Sequence, residues 1–65
     1  MLKWGQRIKQ LREQKNMTQA ELADRLGTTI RTVRRWEKEE VVPDVFVAAN
    51  LAKLLETTIE KIFKE

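Results

Sequence analysis

The 65-residue chain contains no cysteine, no histidine and no serine. Without thiols it can form neither a disulfide nor a thiolate metal site, so its stability must come from helix packing. A nucleophile would have to be a threonine or a lysine with no histidine to serve as its base, and catalysis is not expected. Glycine is scarce, and Gly5 and Gly27 stand too far apart to cradle the phosphates of a nucleotide. The adjacent acids Glu39 and Glu40 lack a second cluster of ligands for a metal. No apolar run resembles a signal peptide or a membrane span; the nearest, Val41 to Leu55, is broken by Pro43, Asp44, Asn50 and Lys53. Internal repeats, low-complexity tracts and flexible linkers are absent as well. What is left is a single small domain, residues 1–65, with no enzyme activity, cofactor, metal or membrane expected of it. Such a domain serves equally as a whole protein or as one part of a longer one, and the absence of cysteine is compatible with the cytoplasm.

What the chain does have is charge, unevenly placed. The net charge is +3, but residues 1–38 carry ten Lys or Arg against four Asp or Glu, whereas residues 39–65 carry three against six. That split suits a protein that lays one end against a polyanion and leaves the other free.

The stretch Thr18 to Lys38 organises the rest. Ala20, Leu22, Ala23 and Leu26 recur at helical spacing behind Thr18 and Glu21, a capping-box pair that satisfies amide donors at a helix start. Gly27 ends that helix, and Thr28 or Thr29 can cap the next. With Ile30 as origin and about 100° per residue, Arg34, Lys38, Arg31 and Arg35 fall at roughly 40°, 80°, 100° and 140°. Thr32, Trp36 and Val33 fall at roughly 200°, 240° and 300°, on the side that can be buried. Four cations thus share one arc of a helix whose back is apolar. An α-helix fits the major groove of B-form DNA, and arginine matches both guanine's paired acceptors and phosphate. A solvated basic face is the plainer alternative.

The flanking segments read as further short helices. Trp4, Ile8, Leu11 and Lys15 form one stripe of a first helix within Met1 to Lys15, interrupted at Asn16. Met17 can staple back onto the second helix. Asp44, after Pro43, can cap a fourth helix with Val47, Ala48, Leu51, Ala52 and Leu55 on its core side, and Thr58 a fifth with Ile59, Ile62 and Phe63. Phe46 falls off the main stripe; it either packs against the C-terminal helix or joins Val41, Val42 and Val45 in an exposed patch of the kind that marks partner surfaces.

RIKQLREQKNMTQAELADRLGTTIRTVRRWE resembles the helix-turn-helix core of the Cro and C1 repressors, the Xre family. The likeness continues through VVPD and LAKLLETTIEKIF and so covers about residues 5–63. The resemblance implies an all-α, compact bundle of five short helices, lambda-repressor-like, with helices two and three as the helix-turn-helix. It also implies a buried ion pair between Arg12 and Glu37, which the helical count puts at roughly 340°, at the edge of the packed face. The chain departs from the family at Asn16, Glu39 and Glu56, where glycine is usual. Glu39 must therefore either extend the helix or occupy a strained conformation, and Glu40 puts an acid where phosphate contacts are often made.

The function so implied is sequence-specific binding of double-stranded DNA in transcriptional repression or autoregulation. Arg31 and Arg35 would read bases, with Ile30 against a thymine methyl. Thr18, Gln19, Thr29, Arg34 and Lys38 would hold phosphates; in the family the Gln19 position touches phosphate or braces a base-reading side chain. A homodimer, at least on DNA, would bind a near-palindromic operator, pairing through Val41, Val42 and Phe46. The setting would be the cytoplasm of a bacterium or archaeon, or a phage. A protein-interaction module of the same fold, antitoxin-like or coactivator-like, is the alternative.

Overall fold

A computed structural model describes residues 2–64 and consists there of five α-helices: α1 (Trp4–Gln14), α2 (Gln19–Leu26), α3 (Ile30–Glu37), α4 (Val45–Leu54) and α5 (Ile59–Phe63). The first helix is shorter than the stretch read from the sequence. It opens after Lys3 and stops before Lys15, and Met1 lies outside the described residues. Lys15 leaves the apolar stripe and pairs with Glu56 at the surface.

The starts of the helices follow from short polar side chains. Thr18 Oγ1 accepts from the Glu21 amide while Glu21 Oε1 accepts from the Thr18 amide. Thr29, rather than Thr28, caps α3 by accepting from the Thr32 amide. Asp44 and Thr58 do the same for the amides of Val47 and Lys61. Each such cap contributes about 1 kcal/mol by satisfying a donor that has no partner within its helix.

The ends share one device. After α1, α2, α3 and α4 the chain turns through a left-handed residue, respectively Asn16 (φ 56°), Gly27 (φ 69°), Glu39 (φ 62°) and Glu56 (φ 57°). At all four, two amides fold back onto carbonyls of the last turn, as with Met17 to Arg12 and Glu40 to Arg35. The alternative at Glu39 is thereby decided: the helix stops, and a non-glycine residue takes the strained region.

The core assembles Ile8, Met17, Leu22, Ala23, Val33, Trp36, Leu51, Ala52, Leu55 and Ile62, all buried. Trp4 and Phe63 close one edge, their ring centroids 5.4 Å apart. Arg7 ties α1 to the end of α5, its Nη1 donating to the carbonyls of Ile62 and Lys64. The C-terminal end of α3 meets the start of α1 at Gly5. A methyl group on Gly5 would lie 2.7 Å from the Trp36 and Glu37 carbonyl oxygens and 2.6 Å from Glu39 Cγ. Only glycine permits that approach, which brings the amide-bearing start of α1 against the carbonyl end of α3, a favourable dipole arrangement.

Candidate nucleic-acid interface

The two faces of α3 differ as its periodicity requires. Val33 and Trp36 are 0% and 3% exposed and point into the core. Arg31, Arg34 and Lys38 are exposed, Arg35 is half-buried, and Ile30 stands at the edge, 38% exposed. Among the described residues no hydrogen bond engages the side chains of Arg31, Arg35 or Lys38; the Arg34 side chain donates to Gln19. Thr18 and Thr29 both sit on the surface at helix starts, with their hydroxyls engaged in capping.

Behind the arc lies a polar cluster that joins three helices. Glu37 Oε2 accepts from Arg12 Nε at 2.7 Å, and Glu37 Oε1 accepts from Arg12 Nη2 at 3.2 Å and Gln19 Nε2 at 3.0 Å. Arg12 Nη1 also donates to the Met17 carbonyl at 2.7 Å. The side chains of Arg12 and Glu37 are only 9% and 5% exposed. The hydrogen bonds to Glu37 raise the Arg12 pKa above its ordinary value against the opposing effect of burial, so the guanidinium keeps its charge inside the protein. No buried side-chain nitrogen or oxygen among the described residues lacks a partner.

Gln19 is the link from this cluster to the surface. Its Oε1 accepts from Arg34 Nε at 3.1 Å while its Nε2 faces Glu37. The sequence directed attention to Gln19 as a surface group or a brace; it gave no sign that Arg34 would be the side chain joined to it. Glu39 also does something that composition could not reveal. Its Oε2 accepts from the Gly5 amide at 3.0 Å, placing a carboxylate at the start of α1, where the helix dipole favours it. The acid that looks like a departure in the loop after α3 is thus a structural residue. Glu40 stays exposed.

The start of α4 and the loop before it are apolar and bare. Val42, Val45 and Phe46 are 65%, 67% and 80% exposed, and Val41 is 41% exposed. Packing of Phe46 against the C-terminal helix, one of the two alternatives raised by the sequence, does not occur. Beside it, Val42, Pro43, Val45, Ala48, Ile59 and Phe63 line an open groove of about 350 Å³.

This five-helix arrangement, with α2 and α3 joined by the short turn at Gly27, defines a helix-turn-helix protein, and the helix-turn-helix family matches residues 8–62. The chain belongs to that family. It is 40% identical over 57 residues to an uncharacterized HTH-type transcriptional regulator of Archaeoglobus fulgidus, spanning 88% of this chain and 80% of that one. Among solved structures it is similar to the P22 c2 repressor bound to a synthetic operator, with 25% identity and a TM-score of 0.93 over 98% of this chain and 97% of that chain. It is also similar to SinR, a master regulator of biofilm formation, in complex with DNA: 25% identity, TM-score 0.82, 91% of this chain and 95% of that chain.

Proposed function

We propose that the protein is a DNA-binding transcription regulator that inserts α3 into the major groove of double-stranded DNA. The observation that carries this reading is the cationic arc of α3, exposed along Arg31, Arg34 and Lys38 while Val33 and Trp36 anchor the opposite side. The DNA-bound repressors of the same fold support it. Arg31 and Arg35, one turn apart, read base edges, with guanine preferred, and Ile30 meets a thymine methyl. Arg34 and Lys38 hold phosphates together with Gln19, Thr18 and Thr29, the threonines lying beside the free amides of two helix starts. The protein acts as a binding module rather than a catalyst, on DNA in the cytoplasm.

The bare apolar patch at Val41, Val42 and Phe46 supports pairing of two copies, which would place two α3 helices on half-sites of a near-palindromic operator. The same patch favours the second reading, a protein-interaction module with weak DNA binding. Titration of a labelled mixed-sequence duplex at two salt concentrations separates them. DNA binding predicts steep weakening with salt and loss of binding in the double variant Arg31→Ala, Arg35→Ala. Salt-insensitive binding that survives this double change refutes the reading. Selection from a random DNA pool then tests specificity and half-site spacing together.

A further inference from the structure

We infer that the groove between α2 and α4 is a docking site for a short amphipathic helix of another protein, one that carries carboxylates on either side of an apolar residue. The groove is lined by Arg25 and Leu26 at the end of α2 and by Asn50, Lys53 and Leu54 on α4, and holds about 450 Å³. No residue of α3 borders it, so such a peptide and DNA would occupy separate surfaces.

The composition of α4 calls for a partner. The helix is apolar at every position except Asn50 and Lys53. A helix of that kind is ordinarily enclosed on all sides. Here Phe46, Ala49, Asn50 and Lys53, spaced i, i+3, i+4 and i+7, share one face, and all four are exposed. The two polar side chains of α4 both border the groove. Arg25 borders it as well; it is the sole cation of α2, as Lys53 is of α4.

Two cations thus flank a floor made by the half-buried Leu26 and Leu54, and no acid lines the groove. The acids one turn away on the same helices are already engaged. Glu21 accepts from the Thr18 amide, and Glu56 is paired with Lys15. Like charges on facing helices repel, and an anionic partner removes that repulsion while the leucines contribute apolar area.

The shape of the groove selects the kind of anion. Small molecules bind in pockets that bury most of their surface, which a groove open to solvent does not do. A helix suits it better: one apolar side chain meets Leu26 and Leu54, while acids one turn to either side reach Arg25 and Lys53. Nucleic acid suits it less, because the floor offers no aromatic ring on which a base could stack.

The test screens the full chain against a displayed library of random helix-forming peptides, and the best binders are then synthesised with a fluorescent label. They should carry Asp or Glu about one turn before and after a large apolar residue. In fluorescence titrations the double variant Arg25→Gln, Lys53→Gln should weaken their binding by about tenfold or more. The reversal Arg25→Glu, Lys53→Glu should instead bind versions of the same peptides in which lysine replaces the acids, a switch that loss of folding cannot produce. Thermal melts verify both variants, and a labelled duplex is titrated in parallel. Duplex affinity of the neutral variant should fall by about threefold or less. A library that yields no binders, binders without acids, or binders indifferent to both variants would overturn the inference. So would a fall in duplex affinity as large as the fall in peptide affinity, which would make the groove part of the DNA surface.

Discussion

Two regions of this small domain solve the problem of surface in opposite ways. Around α3 the exposed groups are cations, and at least one of them, Arg34, is supported by a hydrogen-bonded chain that reaches the interior. Around the start of α4 the exposed groups are valines and a phenylalanine with no such support. A polar face can be shaped in advance by the protein alone, because its partners are directional. An apolar face gains nothing until something removes it from water. The first face is thus shaped in advance, and the second is a surface left uncovered among the described residues.

The largest effect should come from cutting the support of the polar end. Glu37→Ala leaves the Arg12 guanidinium buried without its anion and should destabilise the fold by about 3 to 5 kcal/mol in chemical denaturation. A loss below about 1 kcal/mol would show that Arg12 finds water or another partner, and the contrast between a braced and an unbraced face would weaken.

At the apolar end, Phe46→Ala should barely change stability, since the ring is 80% exposed. It should reduce self-association measured by sedimentation. A monomeric wild-type protein, on and off DNA, would remove pairing as the reason for the patch.

A smaller test uses the left-handed residues, one in each half. Glu56→Gly relieves backbone strain and sacrifices only an exposed ion pair with Lys15, so it should stabilise by about 1 kcal/mol. Glu39→Gly relieves the same strain but removes the carboxylate that holds the Gly5 amide, and should destabilise by about 1 kcal/mol. Equal responses in thermal melts would mean that the Glu39 contact contributes little.

The smallest effect concerns pH. Glu21 lies below the usual carboxylate range because the Thr18 amide, and then its hydroxyl, hydrogen-bond to it. A carboxylate whose folded pKa is depressed stabilises the fold above its unfolded pKa, and that contribution is lost as pH falls through the folded value. Glu21→Gln should therefore flatten the acid limb of the stability profile by slightly lowering stability at neutral pH, leaving stability in strong acid almost unaffected.

The five helices, the caps of four of them and most of the core were legible because they depend on local rules: Thr18 with Glu21, Asp44 before Val47, and apolar residues at helical intervals. The cationic arc was legible for the same reason. The pairing of Arg34 with Gln19 was not, since nothing in a helical count says which side chains of two helices will meet. Nor was the purpose of Glu39, whose partner Gly5 lies 34 positions away.

The order of residues alone determined a helix with a buried back and a basic front, because periodicity and side-chain chemistry act over a few neighbouring positions. Only tertiary structure decided how that front is held. Hydrogen bonds among Arg12, Glu37, Gln19 and Arg34 need the angles and separations that arise once three helices pack, and no single segment contains that information.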